Sequence, residues 1–257
     1  MNKPVIFGIL NVTPDSFSDG GRFFDASAAV EQAFTMINDG ADVIDIGGMS
    51  TRPGFSDVSE DEEIRRVVPV IKRLKAELKE CVISVDTFRA GTASAAIEAG
   101  ADIINDITGL MGDEHMASVI ADAGVKAVLM RDGMADEYEP WETSLMRTVD
   151  AAKAAGIPRD RIMLDPGVGF TKTREQDQEL IRAIPRIKDR WGCPVLLGVS
   201  RKRVTALYYK GEVPADGRDG ASVALALRGI ELGASAVRVH NVRQTYAAIR
   251  AYESIKG

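Results

Sequence analysis

Val5-Ile-Phe-Gly-Ile-Leu-Asn-Val-Thr-Pro-Asp-Ser-Phe-Ser-Asp-Gly-Gly21 is the stretch on which the choice of fold turns. Val5 to Leu10 is an apolar run without polar alternation, as a strand covered on both faces of a parallel sheet requires. At Asn11 the chain turns polar and enters a loop of Thr13, Asp15, Ser16, Ser18 and Asp19, with Phe17 as a lone aromatic ring. A doubly wound dinucleotide-binding sheet would place a glycine-rich turn after its first strand. Asn11-Val-Thr-Pro-Asp is not that turn.

The same pattern recurs along the chain. Apolar runs at Val5–Leu10, Val43–Ile46, Val82–Val85, Ile103–Ile104, Ala127–Met130, Ile162–Leu164, Val195–Val199 and Ala236–Val239 predict strands. Between them, Ala28–Ile37, Ile64–Leu78, Thr92–Ala99, Thr143–Ala155, Glu179–Trp191, Ser222–Leu232 and Thr245–Ile255 carry helical period. Gly40, Gly100, Gly124, Gly156 and Gly233 stand just before the next strand, where a helix ends cheaply in a left-handed residue. The acidic run Glu60 to Glu63 opens a helix and reads as capping and solvation. Strand and helix alternating without a composition break predict one α/β domain over 1–257, a (β/α)8 TIM barrel with its site at the C-terminal strand ends.

Of the 257 residues 45% are hydrophobic and 27% charged, ample for a core, and the net charge of -6 argues against nucleic-acid binding and a basic membrane surface. No run approaches the roughly 20 apolar residues that span a bilayer. The N-terminal apolar run is too short for a secretory signal, and two distant cysteines, Cys81 and Cys193, suit a reducing compartment. A cytoplasmic protein is expected.

All eight strands of such a barrel end at one mouth, and here nearly every end is polar: Asn11, Asp45, Asp86, Asn105, Met130-Arg131, Asp165, Ser200-Arg201-Lys202 and Arg238-Val-His240. Any one of these suits a helix cap; the set as a whole suits a site. Asp86, Asn105 and Asp165 fit a multiply hydrogen-bonding heterocycle; Met130 reads first as core, though it could floor a flat ring by sulfur contact. Lys202, Arg238 and His240, with Arg52 after the second strand, would meet a phosphate or diphosphate. Asn11, with Asp15 or Asp19, offers hard oxygens for Mg²⁺ held mainly by substrate phosphates. Asp165-Pro-Gly-Val-Gly-Phe lacks P-loop spacing, and Ser200 with His240 lacks a nucleophile elbow.

Asn11-Val-Thr-Pro-Asp-Ser-Phe-Ser-Asp-Gly, Asp45-Ile-Gly-Gly-Met-Ser-Thr-Arg-Pro-Gly, Ser84-Val-Asp-Thr, Ile104-Asn-Asp, Asp165-Pro-Gly-Val-Gly-Phe, Ser200-Arg-Lys and Arg238-Val-His together resemble the dihydropteroate synthase family, in its order and over almost the whole chain. The resemblance implies a homodimeric barrel of folate biosynthesis and a sulfonamide target. It would join p-aminobenzoate to 6-hydroxymethyl-7,8-dihydropterin diphosphate with Mg²⁺. It further implies that Asp86, Asn105, Asp165 and Lys202 hold the pterin, with Met130 and Arg238 sandwiching the ring. Asn11, Arg52, Arg238 and His240 would bind the diphosphate, and Phe17, Thr51, Pro53, Phe170 and Ser200 would shape the p-aminobenzoate pocket. Asp86, Lys202, Arg238 and His240 are the implied catalytic set.

Three positions depart from the family pattern: Met49 for a glutamate, Arg131 for a histidine and Asn241 for an aspartate. Two other functions share part of the motif set. A methyltetrahydrofolate-type methyltransferase would share Asp86, Asn105 and Asp165 but has no need of the cationic positions. A non-catalytic or weakly active pterin-binding paralogue would be marked by the three departures.

Overall fold

A computed structural model describes residues 3–13, 26–49, 58–134 and 139–255. Phe17, Thr51, Arg52 and Pro53, with Asp15 and Asp19, lie outside the described residues. The strands are β1 (Val5–Asn11), β2 (Val43–Gly47), β3 (Val82–Asp86), β4 (Ile103–Asp106), β5 (Lys126–Met130), β6 (Ile162–Asp165), β7 (Leu196–Leu197) and β8 (Ala236–Val239). They pair in parallel in the order β6-β5-β4-β3-β2-β1-β8-β7. A parallel bridge between Leu164 and Val195 joins the two ends, so the sheet closes into the expected (β/α)8 barrel.

The helices are α1 (Ala26–Asn38), α2 (Glu60–Glu77), α3 (Ala90–Ala99), α4 (Met116–Ala123), α5 (Trp141–Ala154), α6 (Arg174–Arg182), α7 (Ile184–Trp191), α8 (Asp219–Glu231) and α9 (Val242–Ile255). All five glycines expected to end helices take positive φ, from 64° to 112°. The segment expected as one helix from Glu179 to Trp191 is two, because Pro185, near the start of α7, has no N–H to continue the ladder. The acidic opening of α2 is only partly solvated. Glu63, three residues from Glu60 and so on the same face, is buried against α3, paired with Arg89 at 3.0 Å. Among the described residues no helix is long and apolar enough to cross a membrane, and Cys81 and Cys193 are free thiols.

One core lies between sheet and helices. The other joins Phe7, Val43, Ile103, Val128, Leu196 and Ala236, which come from six different strands. Six strands bring side chains into one cluster only inside the barrel. Side chains alternate along a strand, so the residue two positions on shares that inward face. Two positions beyond Val43, Ile103, Val128, Met163, Leu196 and Ala236 stand Asp45, Asn105, Met130, Asp165, Gly198 and Arg238. The inner layer therefore changes from apolar to polar one step below the mouth.

The turn after β4 braces this rim. Asp106 is buried and accepts the N–H groups of Thr108 and Leu110, each at 2.7 Å. Gly109 then takes φ 60°, and a Cβ there would strike the Met130 carbonyl and Thr148. Gly109→Ala is expected to destabilise the fold by about 2 kcal/mol or more, read as a lower urea midpoint with unchanged slope.

Candidate active site

Strand register puts the polar ends side by side. Asn11 is level with Gly47, Gly47 with Asp86, and Asp86 with Asn105. Arg238 reaches across from β8, its Nε 2.5 Å from Asp45 Oδ2 and its Nη2 2.6 Å from Asp86 Oδ2. Asp45 is fully buried and also accepts from Asn105 Nδ2 at 3.3 Å. Asp45 was legible as a polar strand end, but nothing in the sequence marked it as the partner of Arg238. Its role is to hold a guanidinium in place, and with it Asp86 and Asn105.

Opposite, at the ends of β6 and β7, the backbone makes room for a second pair. A Cβ on Gly198 would lie 3.5 Å from Lys202 Nζ and 3.6 Å from Asp165 Oδ2, so the ammonium and the carboxylate converge over this glycine. Regular pairing of β7 stops at Leu197, short of the expected Val199. Lys202 Nζ donates to the Val168 carbonyl at 2.6 Å and stands 4.8 Å from the centre of the Phe170 ring. Asp165 accepts the Gly167 N–H at 2.7 Å. Met130 is buried, its methyl beside Gly133.

Burial and charge move these groups from their ordinary values. Burial pushes the Asp86 carboxyl up to about 7, with Asp45 and Glu63 adding to the rise and Arg238 and Lys202 opposing it. Burial likewise raises Asp165, against the pull of Lys202 and the Gly167 N–H. Burial lowers Lys202 to about 8, helped by Arg238 and opposed by Asp165, Asp177 and Asp86. Burial thus moves two carboxyls and an amine toward their neutral forms beside an Arg238 that stays charged. Groups of this kind gather where a ligand is bound or a proton moved.

Ser200 Oγ accepts the His240 backbone N–H at 3.1 Å and lies 3.0 Å from its Nδ1, which braces the histidine at the rim. The departures are accommodated. Arg131 is buried and donates Nη2 to the Phe170 carbonyl at 2.7 Å. Asn241 donates to Asp219 Oδ2 at 2.9 Å and accepts the Gln244 N–H at the start of α9. Met49 is half-buried beside the second loop. No group of three or more His, Cys, Asp or Glu side chains able to hold a metal occurs among the described residues.

A family profile described as pterin binding enzyme matches residues 7–240. The chain is 45% identical over 253 residues to a dihydropteroate synthase of Clostridium beijerinckii, covering 96% of this chain and 93% of that one. A dihydropteroate synthase from Clostridium difficile, crystallised in the presence of pteroic acid, superposes with a TM-score of 0.92 at 41% identity, over 99% of this chain and 97% of that one. Another, from Xanthomonas albilineans in complex with 7,8-dihydropteroate, gives 0.89 at 37% identity, over 100% and 95%.

Removing one partner of a buried ion pair leaves the other charge uncompensated. Asp45→Ala is therefore expected to destabilise the fold by about 3–5 kcal/mol. Asp45→Asn, which keeps an acceptor for Arg238, should cost less, and denaturant titration of both variants measures the difference.

Proposed function

The chain belongs to the pterin-binding enzyme family, and we propose that the barrel mouth is where it carries out dihydropteroate synthesis. The reaction condenses p-aminobenzoate with 6-hydroxymethyl-7,8-dihydropterin diphosphate, giving 7,8-dihydropteroate and diphosphate, a transferase step of folate biosynthesis. The observation that carries the assignment to this site is the convergence of Asp165 and Lys202 over Gly198, facing Asp86 and Asn105 held by Arg238 and Asp45.

A pterin presents N–H donors and a carbonyl along a flat bicyclic edge. Asp86 and Asp165 would accept from it, Asn105 would complete the pairing, and Lys202 would donate to the carbonyl and a ring nitrogen. Met130 would lie against the ring face. A ligand lacking these groups leaves buried polar atoms unpaired, which gives strong discrimination. Arg238 already has Nε and Nη2 on carboxylates, so it orients Asp86 as well as offering charge to the ring or the diphosphate. His240, Asn11 and Arg52 would face the diphosphate. Phe170 and Ser200, with Phe17, Thr51 and Pro53, would line the p-aminobenzoate pocket.

In the reaction the bond from the pterin methylene to the diphosphate oxygen breaks, and its electron pair leaves with the diphosphate. The resulting cation is delocalised over the electron-rich pterin until the arylamine nitrogen bonds to the methylene carbon and then sheds a proton. Cationic side chains at the rim would stabilise the departing charge, and loops over the mouth would keep water from the cation. Asn11 places its side-chain oxygen beside Gly47 at the end of β1. One hard oxygen, with no three-ligand cluster among the described residues, fits Mg²⁺ that keeps waters and is held chiefly by the substrate's phosphates. When bound, it would supply neutralisation of diphosphate charge.

The single domain, the homodimer and the cytoplasmic location belong to this proposal. The first is supported by the reach of the family match, the second by the family resemblance alone, and the third by the two free thiols.

The deciding assay incubates the protein with both substrates and Mg²⁺. Dihydropteroate and diphosphate are expected; pterin binding without product would replace this reading with that of a non-catalytic paralogue. Lys202→Ala should raise the Kd for the pterin diphosphate at least about tenfold with the fold intact, worth about 1.4 kcal/mol. The rate should also be bell-shaped in pH. As pH falls through about 7, Asp86 takes up a proton and loses its acceptor. As it rises through about 8, Lys202 loses its charge. The kcat/KM profile checks both limbs.

A further inference from the structure

Asp177, on α6, lies outside the substrate-facing set yet is fully buried. Its Oδ1 accepts the Gly169 N–H at 2.7 Å and the Thr171 hydroxyl at 2.6 Å, while Oδ2 accepts Arg203 Nε at 3.0 Å. Arg203 is the first residue of a 3₁₀ turn, Arg203–Tyr208, and directly follows Lys202. Its Nη2 binds the Thr171 carbonyl, and also the Thr173 carbonyl at 3.3 Å; Nη1 reaches that of Lys172 at 3.4 Å.

Two more cations hold the same loop, Lys202 at the Val168 carbonyl and Arg131 at that of Phe170. Carbonyls 168, 170, 171, 172 and 173 thus all meet basic side chains. Solvent would satisfy loop carbonyls without fixing them. A planar guanidinium tied to a buried carboxylate fixes them in one geometry.

We propose that Asp177 and Arg203 are positioning residues for the pterin site. Acting as one ion pair, they lock the 166–173 loop to the turn beyond Lys202 and so hold the ammonium between the Val168 carbonyl, the Phe170 ring and Asp165. The inference rests on the proposed function for what Lys202 binds, and on geometry alone for where Lys202 is held. The charged groups facing that ammonium are Asp165 from β6, Arg238 from β8, Asp86 from β3 and Asp177 from α6. Losing Arg203 leaves Asp177 uncompensated and opens the loop to water. Both changes favour the charged lysine, so its titration should move upward.

The test follows Lys202 in the free protein. The rate of its acetylation by an amine-reactive reagent, mapped by mass spectrometry, is measured against pH beside the Kd for the pterin diphosphate. Arg203→Ala is expected to raise the Lys202 midpoint by about half a pH unit or more and the Kd about tenfold. Arg203→Lys should recover part of both. Asp177→Asn keeps the size and an acceptor for Gly169 and so guards against loss of fold; it should weaken binding less than Arg203→Ala does. Lys75→Ala, which breaks the distant Lys75–Asp102 pair of 2.7 Å, controls for general destabilisation. An unmoved midpoint with Kd within twofold of wild type in both Arg203→Ala and Asp177→Asn, despite a lower Tm, would overturn the proposal. A wild-type protein that binds no pterin sinks the functional reading, and the Lys202 midpoint still decides the positioning role.

Discussion

Arg238 carries a full charge inside a closed barrel, and the mouth is arranged around satisfying it. Taking a guanidinium and two carboxylates out of water costs several kcal/mol per ion. That cost is offset only if the geometry is close and the remaining donors and acceptors are paired. Asp45 and Asp86 lie within 2.6 Å of Arg238 nitrogens, and Asn105 binds Asp45 in turn. One strand's arginine thereby sets the positions of side chains on β2, β3 and β4. The apolar layer beneath seals this arrangement from the opposite end of the barrel.

The neighbouring half of the mouth works by a different balance. Lys202 and Asp165 face each other over Gly198, and burial moves both toward neutrality. Depth separates these groups: Asn105 and Asp165 are buried inside the mouth, and His240 is half-buried at its rim.

Departures from the family pattern have been taken into the fabric of the protein. Arg131 puts its charge against the Phe170 carbonyl and within electrostatic reach of Asp165. Asn241 joins Asp219, which is itself bound twice by Arg201, at 2.8 and 3.0 Å. Neither leaves Asp165 or Lys202 without partners, so the relation of the two stands despite both changes.

Much of this was legible from residue order alone, because the period of apolar runs and the glycines that end helices are local properties. Eight strands, the closed barrel and the polar strand ends at one mouth all follow from short-range pattern. Boundaries slipped where a local exception intervened, as when Pro185 divided one expected helix into two. Burial of Glu63 and Asp177 escaped, since a carboxylate on a polar-looking stretch declares no partner. The pairing of Arg238 with Asp45 joins residues 193 apart, and with Asp86 residues 152 apart. No periodicity links such positions. That residues two apart on a strand share a face was readable from the chain; which face points into the barrel, and which residues there pair their charges, was decided only when the barrel closed and took their water away.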